Sequence, residues 1–202
     1  MAKVLKLVSL LLDYPTSNIQ ALMPSFKEVV DHKFNLDGKS RKRLNDFIDH
    51  YQKENLLTWQ QEYTQVFDYS PATSLYLFDH VYGDSRQRGM AMVNLKMMYE
   101  DEGLHLSDSE LPDYLPVFLE FLGETQSEEC ACNHLAEVKE VVEKITKSLK
   151  EGNSKYAELL EIILAFASRG VATPFKAVTH SDEIKKACDG CLLNEQRAFI
   201  NE

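Results

Sequence analysis

Apolar residues recur at the three- and four-residue spacing of amphipathic helices along most of the chain. The stripes from Leu135 to Leu149 and from Tyr156 to Ala167 are the clearest examples. Lys3 to Leu12 is apolar almost all round, which is typical of a helix buried on every side. No strand-like alternation and no internal repeat stands out. The pattern therefore predicts an all-α fold, a single-domain helical bundle.

Prolines, glycines and polar runs predict where the helices end. Pro24 lies inside the apolar stripe of the second helix, which predicts a kink or a split there. The apolar and aromatic segment from Ser74 to Tyr82 is expected to be helical and to stop at Gly83. A long helix to about Glu102 should follow, and the stretch from Gly123 to Cys132 is expected to be a connection.

Helical periodicity persists to about residue 170 and then weakens. Beyond Val171 the pattern is interrupted by Pro174 and Gly190. The sequence therefore predicts a helical domain over residues 1–170. It also predicts a C-terminal tail over residues 171–202 that is weakly structured or disordered.

Composition narrows the classes of partner. Hydrophobic residues make up 44% of the 202 residues and charged residues 27%, which is typical of a globular protein. The net charge of −10 disfavours nucleic acid and anionic membranes and suits either a basic partner or solubility alone. The apolar run Val8 to Leu12 is too short for a secretory signal, and no run is long enough to span a membrane. We therefore expect a cytoplasmic protein without direct membrane insertion.

The stretch from Ser74 to Leu122 concentrates aromatic, acidic and basic residues that ordinary folding does not fully explain. Such a mixture fits a peptide-binding groove, with an apolar floor and a few polar groups that fix the register of the ligand. Rim carboxylates such as Asp79 and Asp84 would meet basic residues of the ligand. The candidate peptide-binding residues are Tyr76, Asp79, His80, Tyr82, Asp84, Arg86, Arg88, Met92, Glu110, Asp113 and Tyr114.

Several of these residues also have a structural interpretation. Asp84 could cap the following helix, with the arginines paired to nearby acids. Asp113 could be an N-cap that accepts a hydrogen bond from the Leu115 N–H, with Pro116 in the first turn. This account leaves Glu110 and Tyr114 as the better candidates for partner contact.

Two features of the long helix need a reason. A glycine inside a helix costs about 1 kcal/mol relative to alanine, so Gly89 is expected to allow close approach of a neighbouring helix or, as a second choice, of a bound peptide. Four of the six methionines fall between Met90 and Met98. Core filling is the favoured interpretation of these methionines, but Met92 lies off the main stripes and is the one expected to face a partner.

Two other functions remain open from the residues alone. Cys130-x-Cys132-x-His134 and Cys188-x-x-Cys191 could bind zinc or serve redox chemistry, although the spacing favours incidental reduced thiols. Asp79, His80 and Glu110 could form an unfamiliar hydrolase site. No phosphate-binding loop, nucleophile elbow or His-Glu-x-x-His motif is present, so the chain is not expected to be an enzyme.

Two motifs closely resemble the NarJ family of nitrate reductase assembly chaperones, within the wider TorD/DmsD group of redox-enzyme maturation chaperones. They read SLYLFDHVYGDSRQRGMAMV and ELPDYLPVFLEFL. LLDYP near the N-terminus and the Tyr63-x-x-x-Phe67 pair are also similar to that family. Tyr114 stands where the TorD/DmsD branch has histidine, which fits the nitrate reductase branch.

The resemblance implies a cytoplasmic all-helical chaperone of the TorD/DmsD/NarJ type. Such proteins bind the N-terminal peptide of the catalytic (alpha) subunit of respiratory nitrate reductase. They keep the apo-subunit competent to receive molybdopterin guanine dinucleotide and delay its attachment to the membrane. The resemblance implies no stably bound cofactor in the chaperone itself. A related molybdoenzyme is the alternative client.

Overall fold

The computed structural model describes residues 2–83, 85–107 and 110–172. These residues form ten α-helices and no strand, which confirms the predicted all-α fold. In chain order the helices are α1 (Ala2–Leu12), α2 (Ser17–His32), α3 (Gly38–Tyr51), α4 (Leu56–Tyr63), α5 (Asp79–Tyr82), α6 (Arg86–Asp101), α7 (Leu115–Thr125), α8 (Glu128–Glu137), α9 (Lys139–Glu151) and α10 (Tyr156–Ala167). A π-helical turn, Thr64–Asp68, continues α4, and a 3₁₀ turn, Pro71–Thr73, follows it.

The core is built around α1, α7 and α10, the three most apolar helices. The α1 helix packs mainly on α7, and α10 packs against α1, α3, α8 and α9. Leu5, Val8, Leu11 and Leu12 of α1 are fully buried against these helices. Lys3 and Leu10 are exposed, so the first helix is largely buried, as expected, but not on every side.

An aromatic cluster joins α3, α4 and α10. Tyr51 stacks on Trp59 with ring centroids 4.9 Å apart, and the Trp59 indole N–H donates to the Tyr156 hydroxyl at 2.7 Å. Phe67 meets the ring of Tyr156 edge-on at 4.8 Å. Such rings bury large apolar areas and satisfy their polar atoms internally. The cluster therefore holds the end of α4 and the π-helical turn on the core.

Two expected helix boundaries are wrong. The α2 helix runs without a break through Pro24, so the expected split is wrong, while the alternative of a kink stays a prediction. Pro24 lies on the exposed side, where water can satisfy the carbonyl that a proline leaves without a partner. The stretch from Gly123 to Cys132 is mostly helical and not a connection, because α7 runs to Thr125 and α8 begins at Glu128. The Ser127 hydroxyl starts α8 by accepting a hydrogen bond from the Cys130 N–H.

The segment Ser74–Phe78, which we call the strap, is not helical as expected: it forms a β-bridge at Tyr76 and then a turn at Leu77 and Phe78. The Leu77 N–H donates to the Asp113 carbonyl at 2.9 Å, and the Leu115 N–H donates to the Leu75 carbonyl at 2.8 Å. These two bonds flank an isolated antiparallel bridge between Tyr76 and Tyr114. Non-local pairing of this kind overrides the local helical pattern of the strap.

Asp113 fixes the end of the strap, and its expected role as an N-cap is wrong. Its carboxylate accepts from the Phe78 N–H at 3.1 Å, while the N-cap position of α7 belongs to Tyr114. Asp113 is fully buried, and this burial raises the pKa of its carboxyl. The hydrogen bond from Phe78 and the Arg88 guanidinium, 3.8 Å away, oppose that rise.

The tail prediction cannot be compared with the structure beyond its first two residues. Val171 and Ala172 are described, and the Val171 N–H donates to the Asn133 side chain at 2.8 Å. The rest of the predicted tail, including Cys188 and Cys191, lies outside the described residues. The described chain therefore runs without a gap from the helical domain predicted for residues 1–170 into Val171 and Ala172.

No neighbouring helix of the described chain approaches Gly89 closely, contrary to expectation. A Cβ built at Gly89 would meet no described atom within 4 Å, whereas a Cβ at Gly170 would lie 2.0 Å from the Cys132 carbonyl oxygen. Gly89 is exposed and lies in the first turn of α6, as its fourth residue. No neighbouring helix of the described chain therefore explains this glycine.

We expect opposite effects from alanine at these two glycines. Gly89→Ala should raise the free energy of unfolding by about 1 kcal/mol, because alanine restricts the unfolded chain and meets no obstacle. Gly170→Ala should lower it by about 1–3 kcal/mol, because the backbone of α8 must move. Urea unfolding of the two variants measures both changes. Equal effects of the same sign would contradict this account.

Replacing Asp113 should change the dependence of stability on pH. The folded protein binds the Asp113 proton more tightly than the unfolded chain does, so this carboxyl contributes stability at low pH that is lost as the pH rises through its raised pKa. Asp113→Asn keeps an acceptor for the Phe78 N–H and removes the buried charge. The stability of this variant relative to wild type should therefore improve from about pH 4 to pH 7, as measured by urea unfolding.

Asp113→Ala provides the matched control. It also removes the charge but takes away the Asp113 acceptor of the Phe78 N–H, so it should be less stable than Asp113→Asn by about 1–3 kcal/mol at every pH. A constant difference between Asp113→Asn and wild type across this range would show that the raised pKa is not a source of instability.

Candidate functional site

Two adjoining hollows lie on either side of the ridge formed by α4 and the π-helical turn. The smaller hollow, about 180 Å³, is lined by Tyr14, Tyr63, Phe67, Asp68, Leu75, Tyr76 and Tyr114. The larger and more open hollow, about 330 Å³, is lined by Tyr14, Leu57, Gln60, Gln61, Thr64, Gln65 and Tyr69. Tyr14 belongs to both, so they form one surface feature, which we call the tyrosine groove.

The π-helical turn shapes the ridge between the two hollows. Its wider turn is closed by the Tyr69 N–H, which donates to the Thr64 carbonyl five residues earlier at 3.2 Å. Phe67 and Asp68 line the small hollow, whereas Thr64 and Gln65 line the large one. The Thr73 hydroxyl donates to the Val66 carbonyl, which ties the turn to the next segment. Single π-helical turns are frequent at functional sites.

Neutral phenols form the floor of the small hollow. The Tyr63 and Tyr114 hydroxyls are 2.8 Å apart, and the Tyr114 hydroxyl donates to the Asp13 carboxylate at 3.3 Å. Burial raises the pKa of both phenols well above the ordinary value, so both stay protonated. The floor therefore offers aromatic surface and hydroxyl groups but no acid–base chemistry near neutral pH.

Exposed aromatic rings stand around this floor. Tyr14 meets Tyr63 edge-on with centroids 5.5 Å apart, and Tyr76 lies 5.2 Å from Tyr114 in a tilted arrangement. Tyr14, Tyr69 and Tyr76 have exposed fractions of 46%, 73% and 37%. Exposed tyrosines grouped around a hollow are typical of protein interaction sites, since each combines apolar area with a polar end. Asp13 and Asp68 add negative charge to the rim.

The strap carries Tyr76 into the groove, and several predicted site residues hold the strap in place. Asp79 accepts from the Ser74 hydroxyl at 2.9 Å and pairs with the Arg88 guanidinium at 2.5 Å. His80 Nε2 is 2.9 Å from the Ser74 carbonyl oxygen. Asp79 and His80 of α5 therefore hold one end of the strap, and Asp113 holds the other. Arg88 of α6 pairs with both aspartates. These side chains position the groove and do not line it.

Of the predicted residues that the structure describes, only Tyr76 and Tyr114 lie in the groove itself. Tyr82 packs edge-on against Phe78, and Arg86 is exposed at the start of α6. Asp84 lies outside the described residues.

Met92 and Glu110 also differ from expectation. Met92 is half-buried against the core, whereas Met90 and Met97 are exposed at 64% and 55%. Met92 is therefore not the methionine of α6 that faces outward. Glu110 is exposed and donates its backbone N–H to the Ser107 carbonyl.

Most of the groove was not predicted from the sequence. The missed lining residues are Tyr14, Leu57, Gln60, Gln61, Tyr63, Thr64, Gln65, Phe67, Asp68, Tyr69 and Leu75. Tyr14, Tyr63 and Phe67 belong to motifs that resemble the NarJ family, but the motifs do not show which of their side chains line a groove. Tyr14 beside Pro15 and Tyr69 beside Ser70-Pro71 are aromatic residues at helix ends, and that is the signal that could have found them.

The geometry gives no support to the two alternative functions. Both oxygens of Asp79 and the Nε2 of His80 are engaged in holding the strap, which disfavours a hydrolase built on them. Cys130 and Cys132 are buried in α8, and burial raises the pKa of the Cys132 thiol. Within the described ranges, no group of three or more His, Cys, Asp or Glu side chains could hold a metal ion. No helix in this part of the chain could cross a membrane.

Comparison with known proteins agrees with this fold. The sequence model for the nitrate reductase delta subunit family matches residues 35–161. The chain is 33% identical over 200 residues to the nitrate reductase molybdenum cofactor assembly chaperone NarJ of Escherichia coli, covering 97% of this chain and 84% of that protein. It is 32% identical over 164 residues to a Bacillus subtilis protein provisionally given the same name, covering 78% and 84%.

A solved structure supports the same fold. A candidate redox enzyme maturation protein of Archaeoglobus fulgidus superposes with a TM-score of 0.59 at 22% identity, covering 83% of this chain and 94% of that one. The names of the curated relatives support the prediction of a chaperone and not an enzyme. The family match covers more than half of the chain, and the similarity to the Escherichia coli protein covers almost all of it. The chain therefore belongs to the nitrate reductase delta subunit family.

Proposed function

We propose that this protein is a maturation chaperone that binds the N-terminal segment of the apo catalytic (alpha) subunit of respiratory nitrate reductase in the tyrosine groove. The observation that carries the proposal is the set of exposed tyrosines around a hollow with an acidic rim. The names of the relatives support nitrate reductase as the client. The groove supplies a surface of the right chemistry for a peptide.

The two parts of the groove suit different parts of an amphipathic peptide. The small hollow takes an apolar or aromatic side chain against Tyr63, Phe67 and Leu75. The larger hollow has a polar wall of glutamines and threonine that can exchange hydrogen bonds with the peptide. Basic residues of the peptide meet Asp68 on the rim or the face of an exposed tyrosine. This arrangement is the helix-in-groove mode of recognition.

Binding of the N-terminal segment explains the rest of the proposed role. A client segment covered by the groove is not free to attach to the membrane, so attachment is delayed. The bound apo-subunit stays competent to receive molybdopterin guanine dinucleotide, which is the cargo of the client and not a resident cofactor of this chain. The encounter takes place in the cytoplasm. Tyr76 and Tyr114 contact the peptide, while Asp79, His80, Arg88 and Asp113 position the strap.

Isothermal titration with a synthetic N-terminal peptide of the cognate catalytic subunit tests this function. We expect a dissociation constant between about 1 μM and 1 nM, the range of specific reversible complexes. Tyr76→Ala and Leu57→Ala should each weaken binding about five- to thirtyfold, the range for partly buried interface anchors. Leu22→Ala is the matched control, since Leu22 is an exposed helical leucine that lines neither hollow.

The control separates two failures. If wild type binds the peptide but Leu22→Ala and Leu57→Ala weaken binding equally, the binding site does not lie in the groove. No heat and no shift in melting temperature at high peptide excess would reject the client itself.

Salt should weaken the complex through the acidic rim. Screening reduces the attraction between a basic peptide and Asp68, so the affinity of wild type should fall as NaCl rises from about 50 to 500 mM. Asp68→Asn should bind more weakly at low salt and show a shallower dependence on salt. Asp46→Asn, which removes an exposed carboxylate on α3 outside the groove, should behave as wild type. Parallel salt dependences for all three proteins would exclude Asp68 from recognition.

A further inference from the structure

The α6 helix has two apolar faces, and only one of them packs against the rest of the described chain. Ala91, Leu95 and Tyr99 are buried, with exposed fractions of 3% or less. Met90 and Val93 belong to the other face and are 64% and 54% exposed. A helix that is apolar on opposite sides is normally buried on both of them.

The exposed face is a continuous stripe. Successive residues of an α-helix are about 100° apart, which places Met90, Val93 and Met97 within about 60° of one another. The buried face is centred on the opposite side of the helix. The Arg88 side chain, which pairs with Asp79 and Asp113 beside the strap, also lies on the buried side. The stripe therefore faces away from the strap and is separate from the groove.

Charged residues of opposite sign close the two ends of this stripe. Arg86 begins α6 and Asp101 ends it, and both lie on the same side of the helix as the methionines. Neither residue makes an ion pair with another described residue. The 16-residue helix is therefore basic at one end of its exposed apolar stripe and acidic at the other.

We propose that this stripe binds the same stripe of a second copy of the chain, as an antiparallel pair of α6 helices. A two-fold axis between Val93 and Asn94 brings Arg86 of each copy to Asp101 of the other. The same axis brings Met90 to Met97 and packs the two Val93 side chains at the centre. One register thus pairs both charges and covers all three apolar residues. Both copies use the same surface, as in an isologous interface.

Two further observations favour a second copy as the occupant. Gly89 lies beside the stripe, and the space where its Cβ would be is open, which lets a facing helix approach closely. A uniformly basic peptide would be repelled by Arg86 at one end of the stripe, whereas a second copy opposes each charge with its opposite. Methionine side chains adapt to one another in such contacts.

The dimer should be weak and reversible. A contact limited to one helix from each copy is smaller than the roughly 1,200 Å² that a stable interface buries. Sedimentation velocity of the full reduced chain, from about 10 μM to 1 mM, should show the average mass rising from one chain towards two.

Charge reversal tests the register. Arg86→Glu and Asp101→Arg should each weaken self-association at least about tenfold, because each variant places like charges together twice in the pair. The double variant, Arg86→Glu with Asp101→Arg, restores opposite signs and should recover association to within about threefold of wild type. Val93→Glu should abolish it. Val81→Glu, an equally exposed valine outside α6, is the matched control and should leave association unchanged.

Three results would overturn the proposal. The first is a mass of one chain at every concentration, and the second is a double variant no better than its parents. The third is a wild-type protein that sediments as one chain together with a Val93→Glu variant that binds the client peptide more weakly. That result would show that the stripe binds the client. Every substituted side chain is exposed, so each variant should fold as wild type does. Circular dichroism melts of each variant measure this and separate misfolding from loss of the interface.

Discussion

The structure depends on a pairing between two segments that lie about forty residues apart in the chain. The strap and the residues before α7 exchange backbone hydrogen bonds on both sides of Tyr76 and Tyr114. Asp113 then fixes the strap with its side chain, at the expense of burying a carboxylate. This pairing places two aromatic rings side by side, and the small hollow of the tyrosine groove exists because they are held there.

Local pattern was a good guide to the helices and a poor guide to the strap. Periodicity predicted the buried first helix and the apolar stripe of α10 because each helix satisfies its own backbone. It did not show that the stripe from Leu135 to Leu149 is divided between α8, which ends at Glu137, and α9, which begins at Lys139. The strap has no such signal, since its hydrogen bonds go to residues that no local window contains. The same limit hid the true role of Asp113, which bonds to Phe78 and not to its own helix. Ser127 was a visible cap signal at α8 that the prediction passed over.

The site was predicted in part, and the reason is geometric. The sequence identified the charged residues of the strap region, but Asp79 and His80 bond to Ser74 of the strap, and Arg88 pairs with Asp79. The groove combines the ends of α1 and α4 with the strap, so its lining residues are scattered from Tyr14 to Tyr114. Only a folded chain shows that these tyrosines meet. The resemblance to the NarJ family pointed to some of the same motifs without stating which side chains face outward.

The π-helical turn has a consequence for how this surface could diversify. A π turn contains one residue more than the α-helical turn it replaces, so a single-residue deletion between Thr64 and Asp68 would convert it to regular helix. Because the wide turn absorbs that extra residue, the side chains after the deletion would keep nearly their present directions. Phe67 would keep its edge-on contact with Tyr156, and the aromatic cluster would stay anchored at Trp59. Loss of one residue at Thr64 or Gln65 would therefore change the wall of the large hollow without rebuilding the bundle.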